Sequence, residues 1–299
     1  MTKQGYQDLL KPEVIDTVSG LALISRIVVE GFTSGLNRSR SVGPGMEFSQ
    51  YRGYEPGDDL RLLDWKMLAR SGRYYIKQSE IESQVTVKFI VDSSASMMHE
   101  EEGINKIQFA RVLIATLAYM AQKQGDSVGL FALNDAEFVS VYPKADKQHY
   151  NRFLLELLNV STGGKWPKAS VSSKRIPNQG GKELLFFLTD LYEHDVEISS
   201  FIKSLKSAKN EVVVIQLMGA SEMDFNYGNN IVFEDLETGA RVKVDSQSIK
   251  AQYLLNLNQK IEKIKEVLLS KGIEHHIFRM DQHLGEALPL FLKQRKNSR

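Results

Sequence analysis

Residues 85–98 read Val-Thr-Val-Lys-Phe-Ile-Val-Asp-Ser-Ser-Ala-Ser-Met-Met, and this stretch decides the fold. Its first seven residues form an almost continuous apolar run, which is typical of a strand buried on both faces of a parallel sheet. Asp92, Ser94 and Ser96 follow in a D-x-S-x-S pattern. One carboxylate and two hydroxyls on a tight loop are hard oxygen donors of the kind that Mg²⁺ takes. The stretch therefore predicts a buried strand that ends in a candidate cation site.

The chain beyond residue 84 alternates between strand and helix patterns. This alternation predicts an α/β fold, a Rossmann-like and mostly parallel sheet with helices on both faces. We expect strands at 85–92, 127–133, 184–189, 211–218 and 274–279. We expect helices at 104–123, 146–159, 195–208, 247–271 and 284–294. Two hairpins complete the pattern, an antiparallel edge at 136–141 and an insertion at 231–244 that turns at Glu237-Thr238-Gly239.

The first 80 residues have a different character. One amphipathic helix fits within residues 1–32, and a polar segment rich in glycine and arginine follows at 33–60. A helical turn is expected at 61–71 and a strand at 74–78. We therefore divide the chain into an N-terminal accessory segment, residues 1–80, and an α/β domain, residues 81–299.

The composition is that of an ordinary globular protein, with 299 residues, 42% hydrophobic and 25% charged. A net charge of +1 gives no global field for binding nucleic acid or an acidic membrane. The absence of cysteine excludes disulfides and thiolate chemistry. No apolar run is long enough to span a membrane, and residues 1–18 lack the apolar core of a signal peptide. We expect a cytoplasmic location.

A second acidic residue closes another predicted strand. Asp190 follows the apolar run 184–189, as Asp92 follows 85–91. Open parallel sheets bind ligands at the carboxyl ends of their strands, so the two aspartates and the serines are expected to converge. In the alternative interpretation, Asp92 and the serines only cap the following helix and fix the loop.

The order strand, D-x-S-x-S loop, helix, hairpin, helix and strand ending in Thr-Asp resembles the von Willebrand factor type A domain. The resemblance implies a metal-ion-dependent adhesion site in which Asp92, Ser94 and Ser96 match the first loop and Asp190 matches the later aspartate. That family also uses a threonine after paired glycines. This chain has Lys165 at that position, and Thr162 stands three residues earlier.

Three outcomes for this site follow from the lysine. Lys165 can replace the metal by pairing with Asp92 or Asp190, because an ammonium there repels a divalent cation. The loop can instead be displaced, so that Lys165 faces solvent and Thr162 serves as a ligand of Mg²⁺. The rim can also be vestigial, in which case the chain is a metal-free scaffold.

An upstream motif carries the most specific resemblance. It comprises Arg38-Ser39-Arg40, Gly43, Gly45, Glu47, Phe48, Arg52, Tyr54, Pro56, Gly57, Asp58, Asp59, Arg61, Asp64, Trp65, Ala69 and Arg70. This motif is similar to the family called domain of unknown function 58, from about residue 30 to the end. The resemblance implies a partnership with AAA+ ATPases of the MoxR class. From the residues alone, a structural cap with Asp58, Asp59 and Asp64 paired to Arg52, Arg61 and Arg70 is favoured over a docking face.

Other catalytic patterns are missing from the sequence. The six histidines form no H-E-x-x-H pair, and neither a G-x-x-x-x-G-K-[ST] nor a G-x-S-x-G motif is present. We therefore expect a protein-interaction or adaptor module with no enzymatic activity and no nucleic-acid partner. The alternatives are a metal-assisted hydrolase using Asp92 and Asp190, and a metal-free scaffold with Lys165 in the site.

Overall fold

A computed structural model describes residues 10–36, 48–79, 84–167, 176–177, 181–192, 196–229 and 231–297. The chain forms two compact units, one of residues 1–36 with 85–299 and a smaller one of residues 37–84. The contacts thus group the N-terminal helix with the large unit, whereas the sequence placed residues 1–80 in one segment.

The strands and helices follow the predicted alternation closely. The strands are β1 (Phe48–Gly53), β2 (Tyr75–Ser79), β3 (Thr86–Asp92), β4 (Glu100–Glu101), β5 (Ile104–Asn105), β6 (Ser127–Leu133), β7 (Phe138–Lys144), β8 (Glu183–Thr189), β9 (Asn210–Met218), β10 (Ile231–Glu234), β11 (Arg241–Val244) and β12 (Glu274–Arg279). The helices are α1 (Pro12–Ile15), α2 (Val18–Leu36), α3 (Trp65–Ser71), α4 (Lys106–Lys123), α5 (Lys147–Leu158), α6 (Glu197–Leu205), α7 (Ala220–Asp224), α8 (Ser246–Leu269) and α9 (Leu284–Asn297). The sequence missed β4, β5 and α7, which are all too short to show a periodic pattern.

The central sheet has the strand order β12-β9-β8-β3-β6-β7. All neighbouring strands are parallel except β7, which runs antiparallel to β6 at the edge. The predicted α/β fold is confirmed, including the antiparallel edge hairpin. Because β3 lies between β6 and β8, its carboxyl end opens onto the same edge of the sheet as the ends of those two strands. This is the edge where a doubly wound sheet binds its ligands.

The sheet is covered on both faces, as alternation along β3 requires. Phe89 and Val91 belong to one core cluster, which contains residues of α2, α4, α5 and α9. Ile90 belongs to the other, which contains residues of α6 and α8. Helix α4 starts with a capping box formed by Asn105 and Gln108, which fixes the helix directly after the D-x-S-x-S loop.

The smaller unit is a hairpin of β1 and β2 with helix α3. Arg52 pairs with Asp58 at 2.6 Å, and Arg61 pairs with Asp59 at 3.0 Å, as the structural-cap interpretation predicted. Asp64 differs from that prediction: it caps α3 by accepting the backbone N–H groups of residues 66 and 67, and it also accepts the Tyr51 hydroxyl. The motif positions 38–47 lie outside the described residues.

Within the described ranges, no helix combines the length and the apolar character needed to cross a bilayer.

Candidate functional site

Four predicted residues meet at the carboxyl ends of β3 and β8. Asp92 ends β3, Ser94 and Ser96 belong to the short turn after it, and Asp190 follows β8. The hydroxyl oxygens of Ser94 and Ser96 are 3.0 Å apart, and the Ser96 hydroxyl donates to Asp190 Oδ1 at 3.2 Å. We call these four residues the rim site. The convergence predicted from two acidic strand ends is therefore present in the structure.

Asp92 is held in one orientation at the base of the rim site. It is fully buried, and its Oδ1 accepts the backbone N–H of Ser94 at 3.0 Å. Its Oδ2 accepts the Thr189 hydroxyl at 2.7 Å. Burial and the charge of Asp190 raise the pKa of Asp92 to about 6, although the hydrogen bonds from Ser94 and Thr189 favour the carboxylate. The pKa of Asp92 is raised first because burial removes its carboxylate from water, and the like charge of Asp190 adds to that effect.

Lys106 is the cation that the structure places at this rim. Its side chain is 3% exposed, and its Nζ lies 3.2 Å from Asp190 Oδ2 and 2.8 Å from Glu222 Oε1. Burial disfavours the ammonium, but the charges of Asp190 and Glu222 outweigh burial and raise the pKa of Lys106. Lys106 therefore stays charged at neutral pH.

Lys165 does not fill the site in the way that the sequence suggested. Among the described residues, Lys165 forms no ion pair with Asp92 or Asp190. Of the alternatives that the sequence left open, pairing of Lys165 with a rim aspartate is not found among the described residues, and the cation beside Asp190 is Lys106, the first residue of α4. No local pattern indicated this role, because Lys106 looks like an ordinary polar residue at the start of a helix.

The carboxylate of Glu101 helps to place Glu222 beside Lys106. Glu101 accepts the backbone N–H groups of Ala220 at 2.6 Å and Ser221 at 2.9 Å, and so ties the start of α7 to the β4–β5 turn. Glu222 itself accepts the N–H of Gly219 at 2.6 Å. These bonds fix the backbone around Glu222 and direct its other oxygen to the ammonium.

The loop that contains Thr162 and Lys165 lies against the D-x-S-x-S loop. The N–H of Gly163 donates to the Ser93 carbonyl at 3.0 Å, and the Ala95 N–H donates to the Gly164 carbonyl at 3.1 Å. These two backbone bonds hold residues 162–165 beside the rim site. No hydrogen bond from the Thr162 hydroxyl to the rim site is found in the described part of the chain, so its role as a ligand stays a prediction.

Glu237 approaches the rim site from the tip of the β10–β11 hairpin. Its pKa is raised to about 7 by partial burial and by the charges of Asp92, Asp190 and Asp235, whereas Lys165 lowers it. One carboxylate oxygen, Oε1, is shielded from solvent. The sequence identified this residue only as part of a turn, because nothing local to the hairpin indicates where its tip lies.

The rim site has donors and spacings that fit a hard cation. Mg²⁺ holds oxygens at about 2.1 Å in an octahedron, so adjacent ligands lie about 3.0 Å apart. The oxygens of Ser94, Ser96 and Asp190 are 3.0 and 3.2 Å apart, which is near that spacing and is also the length of the hydrogen bonds that join them. Within the described ranges no group of three or more His, Cys, Asp or Glu side chains is arranged for a metal. The rim site instead combines the two carboxylates of Asp92 and Asp190 with the two serine hydroxyls. The Lys106 ammonium offsets part of the negative charge of these carboxylates.

The fold and site together define a class of protein. In this sheet the aspartate–serine loop follows β3, and Asp190 follows β8, the strand beside β3. This strand order and these two positions make the von Willebrand factor type A-like arrangement. More particularly, the chain belongs to the family described as "Protein of unknown function DUF58", whose sequence model matches residues 50–262. The family predicted from the motif at 38–70 is thereby confirmed.

Similar proteins are known from mycobacteria. Uncharacterized proteins of Mycobacterium tuberculosis (strain H37Rv) and Mycobacterium bovis are each 22% identical over 241 residues, which cover 78% of this chain and 74% of theirs.

Among solved structures, the conserved hypothetical protein BatB from Bacteroides thetaiotaomicron is 14% identical, with a TM-score of 0.46, 71% of this chain covered and 99% of its own. The SpRpn10 VWA domain is 12% identical, with a TM-score of 0.38, 69% of this chain covered and 93% of its own. At such low scores, the fold assignment depends on the strand order of this chain itself.

Proposed function

We propose that this protein is a non-enzymatic adaptor that binds a protein partner through the rim site. The observation that carries the proposal is the convergence of Asp92, Ser94, Ser96 and Asp190 at the ligand-binding edge of the sheet, with oxygen separations of 3.0 and 3.2 Å. These residues, with Thr162 from the adjoining loop, hold Mg²⁺ in this proposal. The ion's chemical contribution is a coordination position that accepts a carboxylate from the partner.

The proposed partner is a MoxR-type AAA+ ATPase. Membership of the family and the motif at 38–70 support this choice, since the resemblance implies that association. The partner supplies the nucleotide hydrolysis, because this chain has no phosphate-binding loop of its own. We propose no catalytic residue, and we place the protein in the cytoplasm with such an ATPase.

A second candidate function is a metal-free scaffold, and one specific observation favours it. The Lys106 ammonium is already 3.2 Å from Asp190 Oδ2 and supplies a positive charge at the rim site. In this version the rim site holds no ion, and the partner binds the surface that the loops form. The two versions differ in a single measurable property, the affinity of the rim for a divalent cation.

Calorimetric titration with Mg²⁺ and with Mn²⁺ separates them. We expect saturable binding by the wild-type chain, a roughly tenfold loss of affinity in Ser96→Ala, and no measurable binding in Asp92→Asn. Asp245→Ala is the matched control, because Asp245 is an aspartate that caps α8 through a bond to Gln247 N–H and takes no part in the rim site. If the wild type shows no heat of binding, or if Asp92→Asn shows the same heat as the wild type, the metal version is rejected and the scaffold version remains.

Partner binding is tested by capture of the MoxR-type ATPase from the native cell. We expect EDTA to weaken capture by the wild-type chain, and Asp92→Asn to lose it in either buffer. Capture that is indifferent to both EDTA and Asp92→Asn would show that the rim site is not the binding surface.

A further inference from the structure

The smaller unit, residues 37–84, exposes more large apolar side chains than it buries. Among its described residues, the buried hydrophobic side chains are Leu63 and Ile76. The exposed ones are Tyr51, Leu60, Leu62, Trp65 and Tyr74. A core of this size contributes little stability, and a cluster of exposed large apolar side chains marks an interaction surface.

Trp65 and Tyr74 lie next to each other in this unit. Leu63 forms an antiparallel bridge with Ile76, and the N–H of Asp64 donates to the Tyr75 carbonyl at 2.9 Å. Trp65 and Tyr74 are the next residues along these two segments, and their side chains are 63% and 55% exposed.

A third aromatic side chain adjoins this pair. The ring centroids of Tyr74 and Tyr54 are 6.1 Å apart, and the Tyr54 N–H donates to the Tyr74 carbonyl at 3.0 Å. We call Tyr54, Trp65 and Tyr74 the aromatic face. Tryptophan and tyrosine supply much of the binding energy at protein interfaces, so the residue types suit a docking surface.

The charged residues that flank the aromatic face are cations. Lys66 follows Trp65, Arg73 precedes Tyr74, and Arg70 lies four residues after Lys66 on the same side of α3. All three side chains are exposed. In the part of the chain that the structure describes, none of them forms an ion pair with a carboxylate.

The aspartates of the same unit are already engaged elsewhere. Asp58 pairs with Arg52 at 2.6 Å, and Asp59 pairs with Arg61 at 3.0 Å. Asp64 accepts two backbone N–H groups at the start of α3. The structural cap therefore fixes the segment that carries Trp65, and it leaves the positive charges beside the aromatic face for a partner.

We infer that the aromatic face, with Lys66, Arg70 and Arg73 at its border, docks an acidic segment of a partner protein that also carries apolar side chains. The rings of Trp65 and Tyr74 pack against the apolar side chains of that segment, and the cations pair with its carboxylates. This surface shares no residue with the rim site, so the protein has a second interaction surface.

Selection from a display library of random peptides on the full chain tests the inference, with Trp65→Ala used to remove peptides that bind elsewhere. We expect the selected peptides to be rich in Asp and Glu and to contain aromatic residues or leucine. A labelled selected peptide should bind Trp65→Ala roughly tenfold or more weakly in fluorescence anisotropy. The fluorescence of the buried Trp166 reports whether this variant is folded.

Lys66→Glu tests the charge complementarity without removing an apolar contact. The new glutamate lies in the first turn of α3, where a negative charge favours the helix, so weaker peptide binding is not a result of unfolding. This variant should bind the peptide several-fold more weakly and with less dependence on salt. Lys263→Glu is the control, because it makes the same change of charge at an exposed position of α8 and should bind like the wild type.

Four results would overturn the inference. The first is a selection that yields no peptide dependent on Trp65, or only basic or neutral peptides. The second is a single-stranded oligouridine that displaces the peptide and binds more tightly, which would assign the surface to nucleic acid. The third is a dimer in sedimentation that Trp65→Ala dissociates, which would assign the surface to a second copy of the chain. The fourth is an equal loss of peptide binding in Asp92→Asn, which would place binding at the rim site.

Discussion

The buried ion pair between Lys88 and Glu183 offers the sharpest test of how this sheet is stabilised. Lys88 lies in the middle of the central strand β3, and its side chain is 1% exposed, while that of Glu183 is 3% exposed. Their charged atoms are 2.5 Å apart, and Lys88 also donates to the carbonyl of Pro177. We predict that Lys88→Met strongly destabilises the fold, because it removes the buried ammonium that pairs with the buried Glu183 carboxylate.

The magnitude follows from the cost of burying a charge. Removing one partner of a buried pair costs about 3–5 kcal/mol, because the remaining ion keeps its desolvation penalty. Whole-protein stabilities are about 5–15 kcal/mol, so Lys88→Met should remove about a fifth or more of the free energy of unfolding. The double variant Lys88→Met with Glu183→Leu removes both ions and should recover most of that loss. The coupling energy between the two sites should therefore exceed about 2 kcal/mol.

Urea unfolding provides the assay, with Trp166 as the probe. Trp166 is buried against Phe187 and reports on the large unit, while the exposed Trp65 is replaced by phenylalanine to remove its signal. Arg26→Gln is the control, because the Arg26–Glu30 pair is exposed and 3.9 Å apart, and its loss should change stability by less than about 0.5 kcal/mol. A Lys88→Met cost below about 1 kcal/mol, or a double variant no more stable than the single, would refute the reasoning.

Three further predictions concern the rim and the sheet edge. Lys106→Met should lower the free energy of unfolding by about 3–5 kcal/mol in EDTA and by less in Mg²⁺, because a divalent cation can replace the lost charge; equal losses in both buffers in thermal melts would contradict this. Gly164→Ala should lower the free energy of unfolding by about 1–3 kcal/mol and weaken Mn²⁺ binding, because φ is +61° at this residue and an added Cβ would collide with Asp135. Gly163→Ala is the control in the calorimetric titration, because a Cβ there meets open space. Burial, with the charges of His276 and Lys265, lowers the pKa of His275 to about 4. Between pH 6.5 and 4 the unfolded chain therefore binds a proton that the folded chain does not, and the free energy of unfolding falls by up to about 3 kcal/mol. Urea titrations at pH 7.5 and 4.5 should show a smaller fall in His275→Gln, and an unchanged fall would exclude this histidine as the cause.

Much of the fold was predictable because its signals are local. The apolar runs of β3 and β8 predicted both strands to within one residue, and the periodicity of 104–123 predicted helix α4. Helix α6 ends at Leu205, three residues before the predicted end, because Lys206 adopts an extended backbone. The boundaries of elements depend on such single residues, which carry little signal.

The site was predictable only in part, for a related reason. Asp92 and Asp190 each follow a strand, and parallel strands bring their carboxyl ends to one edge, so their convergence follows from local patterns and a general rule. Lys106 meets Asp190 and Glu222 across separations of 84 and 116 residues, and no periodicity encodes such a meeting. Pairing of Lys165 with Asp92 or Asp190, one of the alternatives that the sequence left open, followed from a spacing, whereas the partner of Asp190 is set by which helix starts beside it.

The sequence by itself determined an α/β fold of the type A-like class, its family, and an oxygen-rich edge made of Asp92, Ser94, Ser96 and Asp190. Only the tertiary structure decided the charge balance at that edge, where Lys106 and Glu222 lie beside Asp190, and where the tip of the hairpin brings Glu237. The physical reason is the distance along the chain over which each kind of signal acts. Burial patterns act between neighbours along the chain, but electrostatic partners are chosen by proximity in space, which exists only after the sheet and its connections have formed.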